Sequence, residues 1–311
     1  MTSEQTNIEP GTGKNETLRL LNAQVFFRHG ARTPLRHFDG VEEVTYDKNI
    51  HDAPLPHAEL PYEVIDLDTG ERVQCLSPEE KSSNRLFKGG MYCGMLTTTG
   101  KQQMYNLGQR LKRRYVDELK LVGEQFNRDE VLTIESLQCV VAGMFGVEQF
   151  RENGITYDLD MVIVFDHMTS RKAHGLHVEQ WMLDLENEIA KAAVAGVHYY
   201  IAGDKNTQKL HLYSCHDTSI IPLMLILGDP VDHWPPYAAD FRFELYEDGR
   251  GKHWVKLIFC GEEYTPSGCE DSLIEFAKFQ DIIKRVKLTP EQYTHMCSDL
   301  DTAKEFIKMN Y

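Results

Sequence analysis

The chain has 311 residues, of which 41% are hydrophobic and 26% are charged, and its formal net charge at pH 7 is −15. This composition is typical of a globular protein, and no apolar run approaches the roughly 20 residues that a membrane-spanning helix needs. Because binding to a nucleic-acid backbone usually requires a basic face, the acidic balance argues against nucleic acid as a partner.

The amino terminus and the cysteines bear on the cellular compartment. Residues 1–17 contain no apolar signal core, and their acidic residues argue against a transit peptide, so we expect a disordered tail there. The 7 cysteines form no CxxC pair and favour a reducing compartment over a disulfide framework. These features predict a cytoplasmic protein that is not secreted. We expect residues 18–311 to form one domain, and the sequence does not indicate an oligomeric state.

The first half of the chain predicts a strand, a long excursion and a helix. The apolar run AQVFF at residues 23–27 predicts a buried strand, which Gly30 and Pro34 terminate. Residues 39–90 show no sustained periodicity, which predicts a surface excursion of the kind that often serves as a lid. Residues 97–116 predict an amphipathic helix. Its apolar side chains recur at spacings of three and four: Met104, Leu107, Leu111 and Tyr115.

The second half of the chain alternates further helices and strands. Residues 178–196 predict an amphipathic helix, and MVIVF at 161–165 fits either a strand or a buried helical segment. KLHLYS at 209–214 alternates as a strand does. Residues 240–247 and 254–260 predict a hairpin around a glycine-containing turn.

Two more helices are predicted near the carboxyl terminus. Residues 271–286 predict a helix that is capped by Asp271 or Ser272. A second helix begins after Thr289, where proline and glutamine follow in the order of a capping box. The alternation of strands and helices along the whole chain predicts an α/β fold.

The segment FFRHGARTP at residues 26–34 gathers Arg28, His29 and Arg32 directly after the first predicted strand. Open α/β sheets place ligands at such strand ends, where two guanidinium groups can bind phosphate or carboxylate oxygens. His29 can attack phosphorus near neutral pH, and the adjacent positive charges disfavour its protonation. The alternative is a solvated basic turn, but this pattern is expected by chance in about one chain in ten thousand of this length.

A second group is needed to protonate the departing oxygen in such a transfer. The segment LHLYSCHDTS places His216 and Asp217 directly after a later predicted strand. The dipeptide alone is weak evidence, because His51 and Asp52 form the same pair in a loop. A structural role, in which Asp217 caps the turn after the strand, is an equally good interpretation.

The two motifs together resemble the signatures of the histidine acid phosphatases, a family that acts through a phosphohistidine. The segments FKGGMYCGMLTTTGKQQMYNLGQRLKRRYV, HWPPYAADFRFELY and LTPEQYTHMC are similar to family segments too, so the resemblance runs from about Leu18 to about Leu300. It implies a phosphoglycerate-mutase-like α/β fold in which helices flank a mixed sheet core. It also implies a smaller helical lobe, shortened here, inserted in that core at about residues 133–197.

The resemblance further implies roles for the site residues. His29 is the nucleophile and Asp217 the proton donor, while Arg28, Arg32 and His216 contact the phosphate. Neither a metal ion nor an organic cofactor is implied. The implied substrate is lysophosphatidic acid or a related lipid phosphate, and another monoester such as an inositol phosphate is an alternative. The resemblance suggests mitochondria, which this amino terminus does not support.

One family signature is absent from the sequence. The family carries R-[ST]-T-x-x-x-R on a strand-to-helix turn, and its first arginine is a third group that holds the phosphate. The corresponding region, FNRDEVLTIESLQCVVAG, passes from Leu132 to Thr133 without it, which indicates a shortened isoform or a faulty gene model. The loss of one cationic contact lowers the rate by about 10² to 10³. A catalytically impaired homologue that binds phosphate or serves in regulation is therefore an alternative function.

Overall fold

The computed structural model describes residues 18–35, 37, 40–60, 62–64, 86–123, 134–150, 155–157, 209–230 and 232–284. In chain order the elements are β1 (Arg19–Arg28), α1 (Lys48–His51), β2 (Tyr62–Val64), α2 (Thr98–Leu111), α3 (Ile134–Phe145), β3 (Ile155–Tyr157), β4 (Leu210–Cys215), α4 (Asp217–Ile226), β5 (Asp240–Glu247), β6 (His253–Phe259), β7 (Glu262–Glu263), β8 (Leu273–Glu275) and α5 (Phe276–Lys284). A π-helical segment, Lys112–Glu118, continues α2, and a 3-10 turn, Val147–Phe150, follows α3.

The main sheet has six strands and mixed pairing. Its order is β4-β1-β5-β6-β7, and β8 pairs with β6. β1 lies between β4 and β5 and runs parallel to β4 and antiparallel to β5. β2 and β3 form a separate parallel pair. The main sheet has the mixed α/β architecture that the sequence predicts.

One face of the sheet is covered by α2 and α3. The predicted apolar stripe of α2 is completely buried there, together with Val25 and Phe27 of β1. The two helices are in backbone contact, because a Cβ added at Gly108 would lie 2.1 Å from the carbonyl oxygen of Val140. Glycine at this position therefore sets the distance at which α3 packs on α2.

The opposite face of the sheet is covered by α4 and α5. Ile220 and Met224 of α4 and Phe279 of α5 pack against Phe241 and Leu245 of β5. Helices on both faces of the sheet bury both faces of β1 and β5, which explains why these strands contain few exposed positions.

The predicted strands are confirmed, with one extension. The strand predicted at residues 23–27 begins earlier, at Arg19, and the strand predicted at 209–214 is β4. The predicted hairpin at 240–260 is formed by β5 and β6, which pair in register from Phe241–Phe259 to Glu247–His253.

The helix predicted at residues 271–286 is wrong at its amino-terminal end. Residues 273–275 form β8, which pairs with β6, and the helix begins at Phe276. The Ser272 carbonyl accepts a hydrogen bond from the Leu257 amide at 3.1 Å, and its hydroxyl donates to Glu263 at 2.6 Å, so Ser272 is not a helix cap. The open edge of β6 satisfies the backbone here and overrides the local helical pattern.

Several predicted features lie outside the described residues: the tail at 1–17, the segment at 161–165, the helix at 178–196, the helix after Thr289 and most of the lobe at 133–197. Of the excursion at 39–90, the described parts include α1, β2 and the buried Phe87. In the described part of the chain, no helix combines the length and apolar composition required to cross a bilayer.

Candidate active site

The sheet topology brings the two sequence motifs together. In the parallel pair formed by β1 and β4, Arg28 is in register with Cys215 at the carboxyl ends of both strands. Parallel strands end at the same edge of a sheet, so His29 and the His216–Asp217 pair emerge side by side. The ring centroids of His29 and His216 are 5.4 Å apart. All the predicted site residues therefore lie in one cluster at this edge.

Hydrogen bonds assign the tautomer of His29. Its Nδ1 lies 2.9 Å from the carbonyl oxygen of Gly30, and the Nε of Arg32 lies 3.1 Å from its Nε2. A ring nitrogen that faces a carbonyl must carry the proton, whereas one that faces a guanidinium N–H must accept. The network therefore places the proton on Nδ1 and the lone pair on Nε2. That lone pair accepts from Arg32 here, and it can attack phosphorus only when Arg32 donates to a phosphate oxygen instead.

The surroundings of His29 keep the imidazole neutral. Its pKa is lowered from 6.5 to about 4, first by burial and then by the charge of Arg32, with smaller contributions from His216 and Arg28. The hydrogen bond to the Gly30 carbonyl opposes this shift. The arginines disfavour protonation as the sequence predicts, but burial contributes more. His29 is consequently unprotonated in mild acid.

The loop after β1 is clamped to the amino-terminal end of α2. A Cβ added at Gly30 would lie 2.3 Å from the carbonyl oxygen of Gly100, so the two backbones touch. Thr97, the N-cap of α2, accepts a hydrogen bond from the Gly100 amide at 3.1 Å and donates to the Ala31 carbonyl at 3.0 Å. The Ala31 amide donates to the side chain of Gln103 at 2.9 Å. These contacts hold His29 and Arg32 in a defined position.

Arg28 is engaged by protein groups on three sides. Its NH2 lies 2.8 Å from Oδ2 of Asp217, and its NH1 donates to the carbonyl oxygen of Pro235 at 2.6 Å. The guanidinium also lies 4.4 Å from the centroid of the Tyr237 ring, a cation–π contact. The Arg28 and Asp217 side chains are 12% and 16% exposed, so this ion pair is largely shielded from water.

Asp217 occupies the first turn of α4, with His216 as the N-cap residue. The amide groups at the start of a helix favour negative charge, both that of an aspartate and that of a bound phosphate. Together with Arg28 and Arg32, this helix end makes the cluster locally positive in an acidic chain. The arrangement suits a phosphate group beside the Nε2 atom of His29.

The sequence motifs do not predict one further segment of the site. In WPPYAA at residues 234–239, the indole nitrogen of Trp234 donates to Oδ2 of Asp217 at 3.0 Å, and the Ala238 amide donates to the His29 carbonyl at 3.0 Å. This segment precedes β5, which pairs with β1, and that pairing carries it to the site. Two aromatic residues around a double proline, directly before a strand, were the available signal.

In the sequence, the region of the absent arginine signature includes the start of α3 at Ile134. The residues directly before α3 lie outside the described part of the chain. Among the described residues, Arg28 and Arg32 contribute arginine charges that lower the pKa of His29. Across the described residues, no three histidine, cysteine, aspartate or glutamate side chains are grouped as a metal site would require.

The family of the chain is shown by comparison with family models. Residues 19–159 and 166–260 match the model described as the histidine phosphatase superfamily (branch 2). The match covers most of the chain and includes both motifs, and the chain therefore belongs to this superfamily. It is a phosphatase, an enzyme that hydrolyses phosphomonoesters.

Several curated proteins and solved structures are similar to the chain. Human lysophosphatidic acid phosphatase type 6 is 28% identical, over 90% of this chain and 86% of that protein. A probable acid phosphatase of Schizosaccharomyces pombe is 23% identical, over 78% of this chain and 76% of that protein. Among solved structures, a Hafnia alvei phytase in complex with tartrate shares 12% identity over 88% of this chain and 98% of that chain, with a TM-score of 0.48.

The alignment with the human relative also bears on chain length. It runs over 373 positions, although this chain has 311 residues. The relative therefore contains internal segments that have no counterpart here.

Proposed function

We propose that this phosphatase transfers the phosphoryl group of its substrate to Nε2 of His29. Arg28 and Arg32 bind the phosphate oxygens, and His216 contacts the phosphate as well. Asp217 protonates the leaving oxygen. The observation that carries the proposal is the neutral, buried His29, whose Nε2 lone pair faces Arg32 at the joint carboxyl ends of β1 and β4.

The reaction proceeds in two balanced steps. In the first, the bond between Nε2 of His29 and phosphorus forms while the bond between phosphorus and the ester oxygen breaks, and Asp217 gives its proton to that oxygen. In the second, a water oxygen attacks phosphorus and the bond between phosphorus and nitrogen breaks. The Asp217 carboxylate takes the proton of that water. The arginines stabilise the negative charge on the equatorial oxygens in both steps.

The binding role of Arg28 requires an exchange of partners. Without substrate, its NH2 is paired with Asp217. A phosphate dianion offers the guanidinium a stronger, forked interaction, so we expect phosphate to displace the carboxylate. When the carboxyl group loses this cationic partner, its protonated form becomes more favourable. Substrate binding thus favours the form of Asp217 that a proton donor requires.

As substrate, we propose lysophosphatidic acid or a related lipid phosphate. The name of the human relative supports this class of substrate. Two large exposed rings beside the cluster also support it, Trp234 at 64% and Tyr237 at 44% exposure. Such rings offer an apolar contact to the alcohol part of a bound monoester.

A second candidate function is a phosphate-binding homologue with low turnover. The absent arginine signature favours it, because one lost cationic contact in the transition state lowers the rate by about 10² to 10³. The phosphate cradle of Arg28 and Arg32 would remain. Such a protein would bind inorganic phosphate and hydrolyse all monoesters slowly.

The test is phosphate release by the full chain at mildly acidic pH from lysophosphatidate, an inositol phosphate and p-nitrophenyl phosphate. We expect turnover of lysophosphatidate with the highest kcat/KM, and loss of all turnover in His29→Ala. A preference for the inositol phosphate would overturn the lipid substrate alone. A folded chain that binds phosphate but hydrolyses all three substrates slowly would support the second candidate function.

A further inference from the structure

Trp234 is a large aromatic residue that burial does not explain. Its ring is 64% exposed, whereas its indole N–H donates to Oδ2 of the largely buried Asp217 at 3.0 Å. An exposed tryptophan gains little from the hydrophobic effect. Within the part of the chain that the structure describes, the hydrogen bond to Asp217 is the polar interaction of this side chain.

The backbone around Trp234 is rigid and anchored to the site. The residue before a proline is confined to extended conformations, and the two prolines that follow Trp234 have fixed φ angles. The Pro235 carbonyl accepts the hydrogen bond from Arg28 NH1, and the Ala239 carbonyl accepts one from the Arg28 amide at 2.8 Å. The indole is therefore presented to Asp217 by a segment that Arg28 itself holds in place.

Trp234 and Arg28 share one oxygen of Asp217, and a bound phosphate affects these two donors differently. Oδ2 accepts from Trp234 Nε1 and from Arg28 NH2. A bound phosphate competes for the cationic guanidinium, as proposed above. The neutral indole N–H is a much weaker hydrogen-bond donor to a phosphate than the guanidinium is. Of these two donors, Trp234 thus stays on the carboxyl group when Arg28 turns to the substrate.

The chemistry of indole also determines which oxygen carries the proton. Indole nitrogen can donate a hydrogen bond but cannot accept one. The oxygen that it faces must therefore act as acceptor in both protonation states of Asp217. This leaves the transferable proton on Oδ1.

We propose that Trp234 is a positioning residue: it holds Oδ2 of Asp217 so that Oδ1 presents the proton to the leaving oxygen. This inference rests on the proposed function, because it requires Asp217 as the proton donor. It predicts that Trp234 matters most for substrates whose leaving group needs protonation. A nitrophenolate leaves readily without a proton, whereas the alkoxide of an alkyl phosphate does not.

The chain contains a matched control for this hydrogen bond. In the hairpin between β5 and β6, Trp254 Nε1 donates to Oδ2 of Asp248 at 3.1 Å. The donor, the acceptor and the distance are nearly the same, but the pair lies at the turn that follows the far end of β5. Trp254→Phe therefore removes the same chemical interaction without touching the site.

The experiment compares kcat/KM for glycerol phosphate and p-nitrophenyl phosphate in Trp234→Phe, Trp254→Phe and the wild-type chain. kcat/KM reports the steps through phosphoryl transfer to the enzyme, in which the leaving group departs. For Trp234→Phe we expect a loss of about 10- to 100-fold with glycerol phosphate and less than about 3-fold with p-nitrophenyl phosphate. Trp254→Phe should leave kcat/KM unchanged for both substrates. Equal losses on both substrates, or no loss, would overturn the inference.

A double-mutant cycle separates positioning from general damage to the fold. In an Asp217→Asn background there is no proton to position, so Trp234→Phe should cause no further loss with glycerol phosphate. An additive loss would contradict the inference. A wild-type chain without turnover, or an Asp217→Asn variant with full activity on glycerol phosphate, would instead overturn the proposed function and this inference with it.

Discussion

Arg28 and Asp217 form an ion pair, with 2.8 Å between NH2 and Oδ2. Arg28 ends β1, and Asp217 lies just after the end of β4, the neighbouring parallel strand. The group that we propose as a phosphate ligand is thus neutralised by the group that we propose as the proton donor. Without substrate, the Asp217 carboxylate occupies Arg28, and we expect a bound phosphate to take its place. This exchange couples substrate binding to the state of the acid.

The ion pair makes a prediction about phosphate binding. Asp217→Asn removes the carboxylate that competes for Arg28, so the variant should bind inorganic phosphate about ten times more tightly, which corresponds to about 1.4 kcal/mol. Isothermal titration calorimetry measures this directly. Asp229→Asn is the control, because Asp229 accepts a hydrogen bond from Tyr264 beyond the other end of α4. Weaker phosphate binding by Asp217→Asn would contradict the exchange.

A second prediction concerns the charge of Arg32. This charge is the largest electrostatic contribution to the lowered pKa of His29. Arg32→Gln should therefore raise the pKa of His29 from about 4 toward 6.5, and NMR titration of the ring carbons of His29 would measure it. Arg250→Gln, in the exposed hairpin turn, should leave the titration unchanged. An unchanged pKa in Arg32→Gln would show that the charge of Arg32 does not keep His29 neutral.

A third prediction concerns the dependence of stability on pH. The pKa of His29 in the folded chain is about 4, below its ordinary value of 6.5, so between these pH values the unfolded state binds a proton that the folded state does not. Stability from this residue is fully present above about pH 6.5 and is lost as the pH falls toward 4, by up to about 3 kcal/mol.

This loss can be isolated with His29→Gln, which cannot be protonated. Urea unfolding at about pH 7 and about pH 4 should show a smaller decrease in the free energy of unfolding for the variant than for the wild-type chain. An equal decrease in both proteins would mean that His29 titrates normally in the folded state.

A fourth prediction compares how much a buried and an exposed ion pair on the same strand contribute to the stability of the fold. Glu244 of β5 is completely buried and is hydrogen-bonded to Arg114, Tyr115 and Tyr246, and Arg114 lowers its pKa against the opposing effect of burial. Glu244→Gln leaves the Arg114 charge without its partner and should destabilise the fold by about 3 to 5 kcal/mol.

The matched variant is Glu247→Gln, also on β5. Glu247 pairs with Arg19 at 2.7 Å, but the arginine is 71% exposed, so we expect a loss of at most about 1 kcal/mol. Denaturant unfolding measures both variants. Similar losses would mean that the buried pair contributes no more than a surface contact.

Features with local causes could be predicted from the sequence. The apolar spacing of α2 predicts its buried stripe, and the alternation in β4 and in the β5–β6 hairpin predicts their strands. The cluster of site residues at the strand ends could also be predicted, because each sequence motif directly follows a predicted strand. A ligand position at the carboxyl end of a strand then needs no knowledge of distant pairing.

The remainder depends on contacts between distant parts of the chain. β8 forms because the edge of β6 pairs with it, which its own helical pattern does not reveal. Trp234 reaches Asp217 because β5 pairs with β1. The aromatic residues around the double proline mark this segment in the sequence, but they do not reveal that it lies beside Asp217. The burial of Glu244 likewise depends on the π-helical continuation of α2, which brings both Arg114 and Tyr115 to it.

The central claim is that His29 becomes covalently phosphorylated, and trapping the phosphoenzyme tests it most directly. Asp217→Ala should slow hydrolysis of the intermediate, so the phosphoenzyme should accumulate in this variant. Because phosphohistidine is acid-labile, acidic quenching and digestion conditions must be avoided. After reaction with p-nitrophenyl phosphate and rapid quenching in base, mass spectrometry should find one phosphoryl group per chain, located on His29 and absent from His29→Ala. Turnover without any phosphoenzyme, or a phosphoryl group that persists in His29→Ala, would contradict the account.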